Sequence, residues 1–235
     1  MTETTIKAML AHKYNPDKAD YPAYIQPKLD GVRCLFTKDG AFSRAGNQFM
    51  NVKHIEKDLQ VVFNRYPNLI LDGELYNHGL KDDFNKIISL VKKKKPTKDD
   101  RIEAEQQVQY HMYDVASFPH ANYTWRLNFL ATLTDSAMVR TSNCLVITQT
   151  QMAFDQDDAS TKHEINLEMG YEGSIYRSMD GLYKGTRSWD LMKFKDFHDA
   201  EATIINYEVG KGKREGTLGK FIMEDEDGNV FGCPP

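Results

Sequence analysis

The run Gln26-Pro27-Lys28-Leu29-Asp30-Gly31-Val32-Arg33 places a lysine, an acid, a glycine and an arginine in close succession at a turn. A lysine amine becomes a nucleophile only once it has shed its proton, which neighbouring cations or desolvation promote. Further along, charged residues recur inside runs that otherwise read as buried strands: Asp72 and Glu74, Glu172, and Lys193 with Lys195. Charged side chains are seldom buried unless paired or liganding. Alternation along a strand puts Asp72 and Glu74 on one face, and does the same for Lys193 and Lys195. A surface bearing these lysines and carboxylates suits a polyphosphate with a divalent metal. The lysines offset phosphate charge, and the carboxylates hold Mg2+ directly or through water. The clustered cations also favour the unprotonated Lys28 amine that attack on phosphorus requires.

The elements that must carry these groups follow from pattern. Residues 24–44 read as strand, turn, strand, with Asp39-Gly40 as the hairpin signal. Residues 51–66 read as a helix capped by Asn51, with Val52, Ile55, Leu59, Val62, Phe63 and Tyr66 on one face. Leu69–Tyr76 reads as a strand. Phe84, Ile87, Ile88 and Val91 mark a second amphipathic helix that ends in Lys92–Lys95 and is stopped by Pro96. Strands follow at Val108–Val115, Cys144–Thr150, Glu172–Arg177 and Leu191–Lys195, with a helix at Trp125–Leu133. Beyond Phe197 the texture becomes all-β: strands at Ala202–Val209, Leu218–Met223 and Val230–Phe231 enclose a Gly- and Lys-rich hairpin, 210–216.

With 235 residues, 40% hydrophobic and 27% charged, the composition is that of a globular chain of one large domain, or a medium and a small one. It contains no run of about 18 apolar residues, so no membrane span is expected. Cys34, Cys144 and Cys233 are scattered and odd in number, which disfavours disulfides or a zinc site and fits a reduced, cytoplasmic setting. The net charge of −4 does not advertise a nucleic-acid binder, so such binding must come from a local basic face. The seven histidines form no metal-binding pattern and are given no role.

Lys28-Leu29-Asp30-Gly31-Val32-Arg33 resembles motif I (KxDGxR) of the covalent nucleotidyltransferases, the superfamily of ATP-dependent DNA ligases, RNA ligases and mRNA capping enzymes. Leu71-Asp72-Gly73-Glu74-Leu75 resembles motif III, and Tyr110–Val115 motif IIIa. Tyr171–Arg177 resembles motif IV, and Leu191–Lys195 motif V. The order and rough spacing agree over residues 24–197. Tyr183–Trp189, the Phe197–Ala202 crossover and the 210–219 hairpin are similar to DNA ligase segments, pointing to a phage-like minimal ATP-dependent DNA ligase.

The resemblance implies an α+β fold. An ATP-grasp-like nucleotidyltransferase domain of mixed, largely antiparallel sheets with flanking helices would occupy residues 1–197, and the start of an OB-fold 198–235. It implies that Lys28 attacks the α-phosphate of ATP, giving a lysyl-AMP and pyrophosphate. Arg33 and Glu74 would contact the ribose, with Glu74 also assisting the metal. Arg44 would touch the ribose and later the 5′-phosphate of a nick. Tyr113 would stack on adenine and Gln26 would read its edge. Glu172 would serve Mg2+, and Lys193 and Lys195 the α-phosphate. AMP would then pass to the 5′-phosphate of nicked duplex DNA, and a 3′-hydroxyl would seal the strand. The chain would act as a monomer in the cytoplasm of a bacterium or a virus-infected cell. The family's motif VI has no counterpart before Pro235. The OB domain is therefore expected to be incomplete, by truncation or as a natural minimal form, with self-adenylation weak and sealing of a pre-adenylated nick better preserved. Two other readings stay open: an RNA ligase or capping-type enzyme, and a DNA-binding fragment without self-adenylation.

Overall fold

The computed structural model describes residues 7–134, 141–195 and 201–234. The chain divides into two compact units, Met1–Lys195 and Asp196–Pro235. Of the segment read as a crossover, residues 197–200 lie outside the described residues. No helix among the described residues is long and apolar enough to cross a membrane.

The first unit opens with β1 (Leu10–Lys13) and β2 (Ala23–Pro27), then a hairpin of β3 (Val32–Thr37) and β4 (Gly40–Ser43). Helix α1 (Lys53–Arg65) leads to β5 (Leu71–Tyr76), and α2 (Phe84–Val91) and α3 (Lys98–Gln107) to β6 (Gln109–Val115). Then come α4 (Tyr123–Thr134), β7 (Leu145–Ile147), β8 (Gln151–Ala153), α5 (Gln156–Glu168), β9 (Ser174–Ser178) and β10 (Arg187–Phe194). The strands form two five-stranded sheets, ordered β1-β10-β9-β2-β8 and β4-β3-β5-β6-β7. Pairing is antiparallel except for β1 with β10 and β6 with β7. The expected α+β class with largely antiparallel sheets is what the structure shows.

Apolar periodicity explains the layers. In α1, Ile55, Leu59, Val62 and Phe63 are buried at helical spacing. They join Ile87 and Val91 of α2, Ala104 of α3 and Leu130 of α4 in one core with Phe36, Leu71, Leu75 and Tyr110 of the second sheet. Within β5, Leu71 and Leu75 face this core, so alternation turns Asp72 and Glu74 to the opposite face. The first sheet has a smaller core of its own, in which Ala23, Ile25, Tyr176 and Met192 pack on Ala159 of α5. The faces left over are those that carry the charged groups.

The structure departs from pattern in four places. Asn51 is not the cap of α1; Val52 takes that position without a side-chain hydrogen bond. Buried Asn51 instead donates through Nδ2 to the carbonyls of Leu90 (2.9 Å) and Asp100 (3.1 Å), tying the end of α2 to α3. Of the run Cys144–Thr150 only Leu145–Ile147 is strand, β7, which pairs with β6; β8 begins just beyond the run, at Gln151, and pairs with β2 in the other sheet. Helix α3 goes unseen in the pattern because only Ala104 of it is buried; its signal is the Thr97–Asp100 capping box after Pro96. Helix α5 likewise buries Ala159, His163 and Asn166 rather than an apolar stripe, although Asp155 caps it.

The second unit is a three-stranded antiparallel sheet of β11 (Ala202–Val209), β12 (Leu218–Asp225) and β13 (Val230–Cys233). Its strands fall where the alternating pattern puts them. Ile204, Tyr207, Val209 and Val230 are exposed on it.

Candidate active site

Lys28 follows β2 directly, and Glu172 lies two residues ahead of β9. The β2–β9 ladder continues past its last strand pair: Lys28 N–H donates to the Gly173 carbonyl (2.9 Å), and Glu172 N–H to the Lys28 carbonyl (3.3 Å). Lys195 follows β10, the neighbour of β9 on the other side. Three strand ends thus deliver Lys28, Glu172 and Lys195 to one place. Lys28 Nζ pairs with Glu172 Oε2, and Lys195 Nζ donates to Glu172 Oε1 at 2.6 Å. Burial pushes the Glu172 carboxyl up, but the hydrogen bonds from Lys195 and Lys28 outweigh it and hold it below the ordinary glutamate value. The same contact holds the Lys195 amine above its usual range. Asp30 joins this cluster, its carboxyl raised by partial burial and by the charge of Glu172. Within this mixed set of lysines and carboxylates, the anion Glu172 stands between Lys28 and Lys195.

A buried ionic network links the two sheets behind this cluster. Arg33 on β3 donates through Nε (2.9 Å) and Nη2 (2.5 Å) to the two carboxylate oxygens of Asp72, and through Nη1 to the Met9 carbonyl (2.5 Å). Tyr183 donates to the same carboxylate at 2.7 Å. Asp114, at the end of β6, takes Arg126 Nε at 2.7 Å and Arg177 Nη1 at 2.7 Å. Arg177 also donates to Gln26 Oε1 (2.6 Å), and Gln26 Nε2 donates to Tyr123 (2.9 Å) and Thr150 (2.8 Å). The Gln26 carboxamide therefore spends its hydrogen bonds within the protein.

A bulge in β6, between the pairs Asp72–Asp114 and Gly73–Met112, leaves Tyr113 unpaired. Its hydroxyl donates to Glu74 Oε2 at 3.3 Å, and the Arg177 guanidinium lies 5.1 Å from its ring. Burial, reinforced by Asp72, pushes the Glu74 carboxyl up to about 8 despite Arg33 and Lys28. Lys193 pairs with Ile175 across β9–β10, on the strand face shared with Leu191. Arg44 sits in the exposed turn after β4 and makes no hydrogen bond or ion pair with this cluster among the described residues. Among the described residues, no three His, Cys, Asp or Glu side chains converge as a metal site. A cavity of about 580 Å³ lined by Lys38, Lys53, Lys57 and Phe63 contains none of these residues.

A family model described as the ATP dependent DNA ligase domain matches residues 8–195. The chain belongs to the ATP-dependent DNA ligase family. It is 25% identical to the DNA ligase of Enterobacteria phage T4 over 272 residues, covering 94% of this chain and 55% of that one. The chain thus spans about half the length of the curated phage ligases it matches. Its fold is similar to that of a Lig E DNA ligase, with a TM-score of 0.77 and 24% identity over 97% of this chain and 83% of that one. It is also similar to bacteriophage T7 ATP-dependent DNA ligase in complex with ATP, with a TM-score of 0.66 and 16% identity over 100% of this chain and 82% of that one.

In this ligase-family chain, pattern reading gave no site role to Asp114, Arg126, Arg177 or Tyr183. The available signal was charge inside apolar runs, as in Met112-Tyr113-Asp114-Val115 and Ile175-Tyr176-Arg177. Gly31 shows how tightly the nucleophile's turn seats against β5. A Cβ there would lie 2.5 Å from the Leu75 carbonyl oxygen and 2.8 Å from Glu74 Cγ. Gly31→Ala is expected to cost about 1–3 kcal/mol in urea unfolding, the range for overpacking a closed site. The raised Glu74 pKa carries a second prediction. Above its unfolded value near 4.5, the unfolded chain gives up the proton while the folded one keeps it, so stability falls as pH rises toward 8. Between pH 5 and pH 8 the wild-type unfolding free energy is expected to fall relative to Glu74→Gln, by at most ~1.4 kcal/mol per pH unit, and its melting temperature to fall with it. Parallel melting curves for the two proteins would contradict it.

Proposed function

We propose that this chain is the nucleotidyltransferase part of an ATP-dependent DNA ligase acting on nicked duplex DNA, with residues 1–197 as the adenylation domain and 198–235 as the opening of an OB-fold. The observation that carries the reading is the Lys28–Glu172–Lys195 cluster. It sits before a sheet-to-sheet network in which Arg33, Arg126 and Arg177 outnumber the carboxylates Asp72 and Asp114. With Glu74 neutral near pH 7, the network keeps a positive excess, the sign a triphosphate needs.

In this reading the Lys28 amine, freed of its proton, attacks the α-phosphorus of ATP. An N–P bond forms as the bond to pyrophosphate breaks. Lys195 and Lys193 offset charge on the α-phosphate oxygens. Tyr113 presents a ring to the adenine, and Gln26, through Arg177 and Tyr123, fixes the floor beneath it. Arg33 and Glu74 face the ribose. A 5′-phosphate oxygen of DNA then takes AMP from Lys28, with Arg44 on that phosphate. A 3′-hydroxyl attacks the 5′-phosphorus, and AMP leaves.

A bound Mg2+ supplies positive charge to the phosphates. Such an ion takes one or two carboxylates and keeps several waters, so the ionised Glu172 fits it. Glu74 fits it less well while its proton stays on. The fold is shared with a Lig E ligase whose structure is described as DNA binding with a minimal scaffold, and this supports DNA as the nucleic acid.

The test is incubation of the chain with labelled ATP or GTP in the absence of nucleic acid, followed by addition of nicked DNA duplex. A covalent band with ATP that DNA discharges is expected. Labelling by GTP alone would overturn the reading in favour of a capping-type enzyme, and discharge only by RNA in favour of an RNA ligase.

A further inference from the structure

Behind Glu172 stands a histidine that the reaction does not use. His163 on α5 is 4% exposed. Its Nδ1 lies 3.1 Å from Ser174 Oγ, which also accepts Asn166 Nδ2 at 2.8 Å. Its ring stacks on Phe194, with centroids 3.8 Å apart and planes within 13°. Ser174 and Phe194 are cross-strand partners and the last pair of the β9–β10 ladder. Two residues before Ser174 comes Glu172; one residue after Phe194 comes Lys195. Tyr14 stacks on Phe194 as well, at 4.3 Å, so that the phenylalanine is held by both rings.

The residue between Glu172 and Ser174 makes the geometry strict. Gly173 has φ +143°, a conformation L side chains rarely adopt. A Cβ there would meet the Phe194 carbonyl oxygen at 2.4 Å, Lys195 Cα at 3.2 Å and His163 Cε1 at 3.3 Å. The Gly173 carbonyl in turn accepts the Lys28 backbone N–H. The imidazole is thus one wall of the slot in which the three strand ends meet. A hydrogen bond holds it to the strand of Glu172, and a stack holds it to the strand of Lys195.

We infer that His163 is a positioning residue for the adenylation centre: by joining Ser174 to Phe194 it holds Glu172 in register between Lys28 and Lys195. Its consequence for AMP transfer rests on the adenylation reading, but its consequence for the Lys28 environment does not. Misplacement of reacting groups by about 1 Å can cost on the order of 100-fold in rate.

Two variants separate its contacts. His163→Phe keeps an aromatic ring against Phe194 and loses the hydrogen bond; Ser174→Ala loses the same bond and leaves the imidazole in place. The first readout is trace acylation with acetic anhydride, measured by peptide mass spectrometry as the reactivity of Lys28 relative to exposed Lys57. Both variants are expected to raise it severalfold, because Glu172 no longer grips the Lys28 amine in one place. The second is lysyl-AMP formation from ATP. The maximal rate is expected to fall about 10- to 100-fold while the KM for ATP stays within about threefold, as for a group acting on orientation rather than binding. Unchanged Lys28 reactivity in whichever variant retains a cooperative melt overturns the inference. A shifted reactivity with no lysyl-AMP in the wild-type chain leaves the positioning role standing and sinks the adenylation reading instead.

Discussion

Lys28→Arg is expected to form no covalent AMP adduct when incubated with ATP, and Lys28→Ala to behave the same way. The two substitutions fail for different reasons, which makes the pair informative. Alanine removes both the nucleophile and the charge that faces Glu172. Arginine keeps the charge and can renew the ion pair, but a guanidinium does not give up its proton near neutral pH and cannot attack phosphorus. If the Lys28–Glu172–Lys195 cluster also orients phosphate groups, the arginine variant retains more sealing of a pre-adenylated nick than the alanine variant. Intact-protein mass spectrometry reads the adduct, and a denaturing gel of a labelled nicked duplex reads the sealing. Adduct formation by either variant would place the nucleophile elsewhere. If neither the wild-type chain nor the variants seal a pre-adenylated nick while duplex binding persists, the chain is a DNA-binding fragment.

The largest expected stability effect lies at Asp114, whose side chain is 1% exposed and bonded to Arg126 and Arg177. Deleting one member of a buried ion pair costs ~3–5 kcal/mol, because the partner charge is left uncompensated in a poorly solvated site. Asp114→Ala strands two guanidiniums at once. Arg126→Ala strands none: Asp114 keeps Arg177, although the carbonyls of Ala121 and Gly181 lose their donor. The expected order is therefore Asp114→Ala well below Arg126→Ala, and Arg126→Ala below wild type. Against the 5–15 kcal/mol typical of a folded domain, the alanine at 114 would remove a large part of the total. Urea midpoints for the three proteins check it. A loss of under about 1 kcal/mol at Asp114, or the reverse order, would mean that water reaches the network.

Where burial and period coincide, the fold was legible. The β3–β4 hairpin, α1, α2 and the strands through Glu74 and Lys193 all carry an apolar face that shows in the chain itself. Helices α3 and α5 do not. One is polar nearly all round, and the other faces its sheet with an alanine, a histidine and an asparagine, so no stripe betrays it. Asn51 has the residue type of a cap, yet the carbonyls of Leu90 and Asp100 compete for its amide, and those come from elements far along the chain. The end of β7 at Ile147 is equally non-local: β7 pairs with β6 and the next strand, β8 from Gln151, pairs with β2 in the other sheet, and nothing within Cys144–Thr150 announces the change.

The site divides along the same line. Residue type and period alone determined that Lys28, Glu74, Glu172, Lys193 and Lys195 are charged groups set in strand-like runs, and which of them share a face. Only the tertiary structure decided what each one meets. It put Glu172 between Lys28 and Lys195, turned Arg33 onto Asp72, spent the Gln26 carboxamide on Arg177, Tyr123 and Thr150, and desolvated the partly exposed Glu74, pushing its carboxyl up to about 8. The reason is physical. The twofold alternation of a strand is a property of the backbone and travels with the sequence. The strength of a charge depends on the partners and the water around it, and those are supplied by strands distant in the chain.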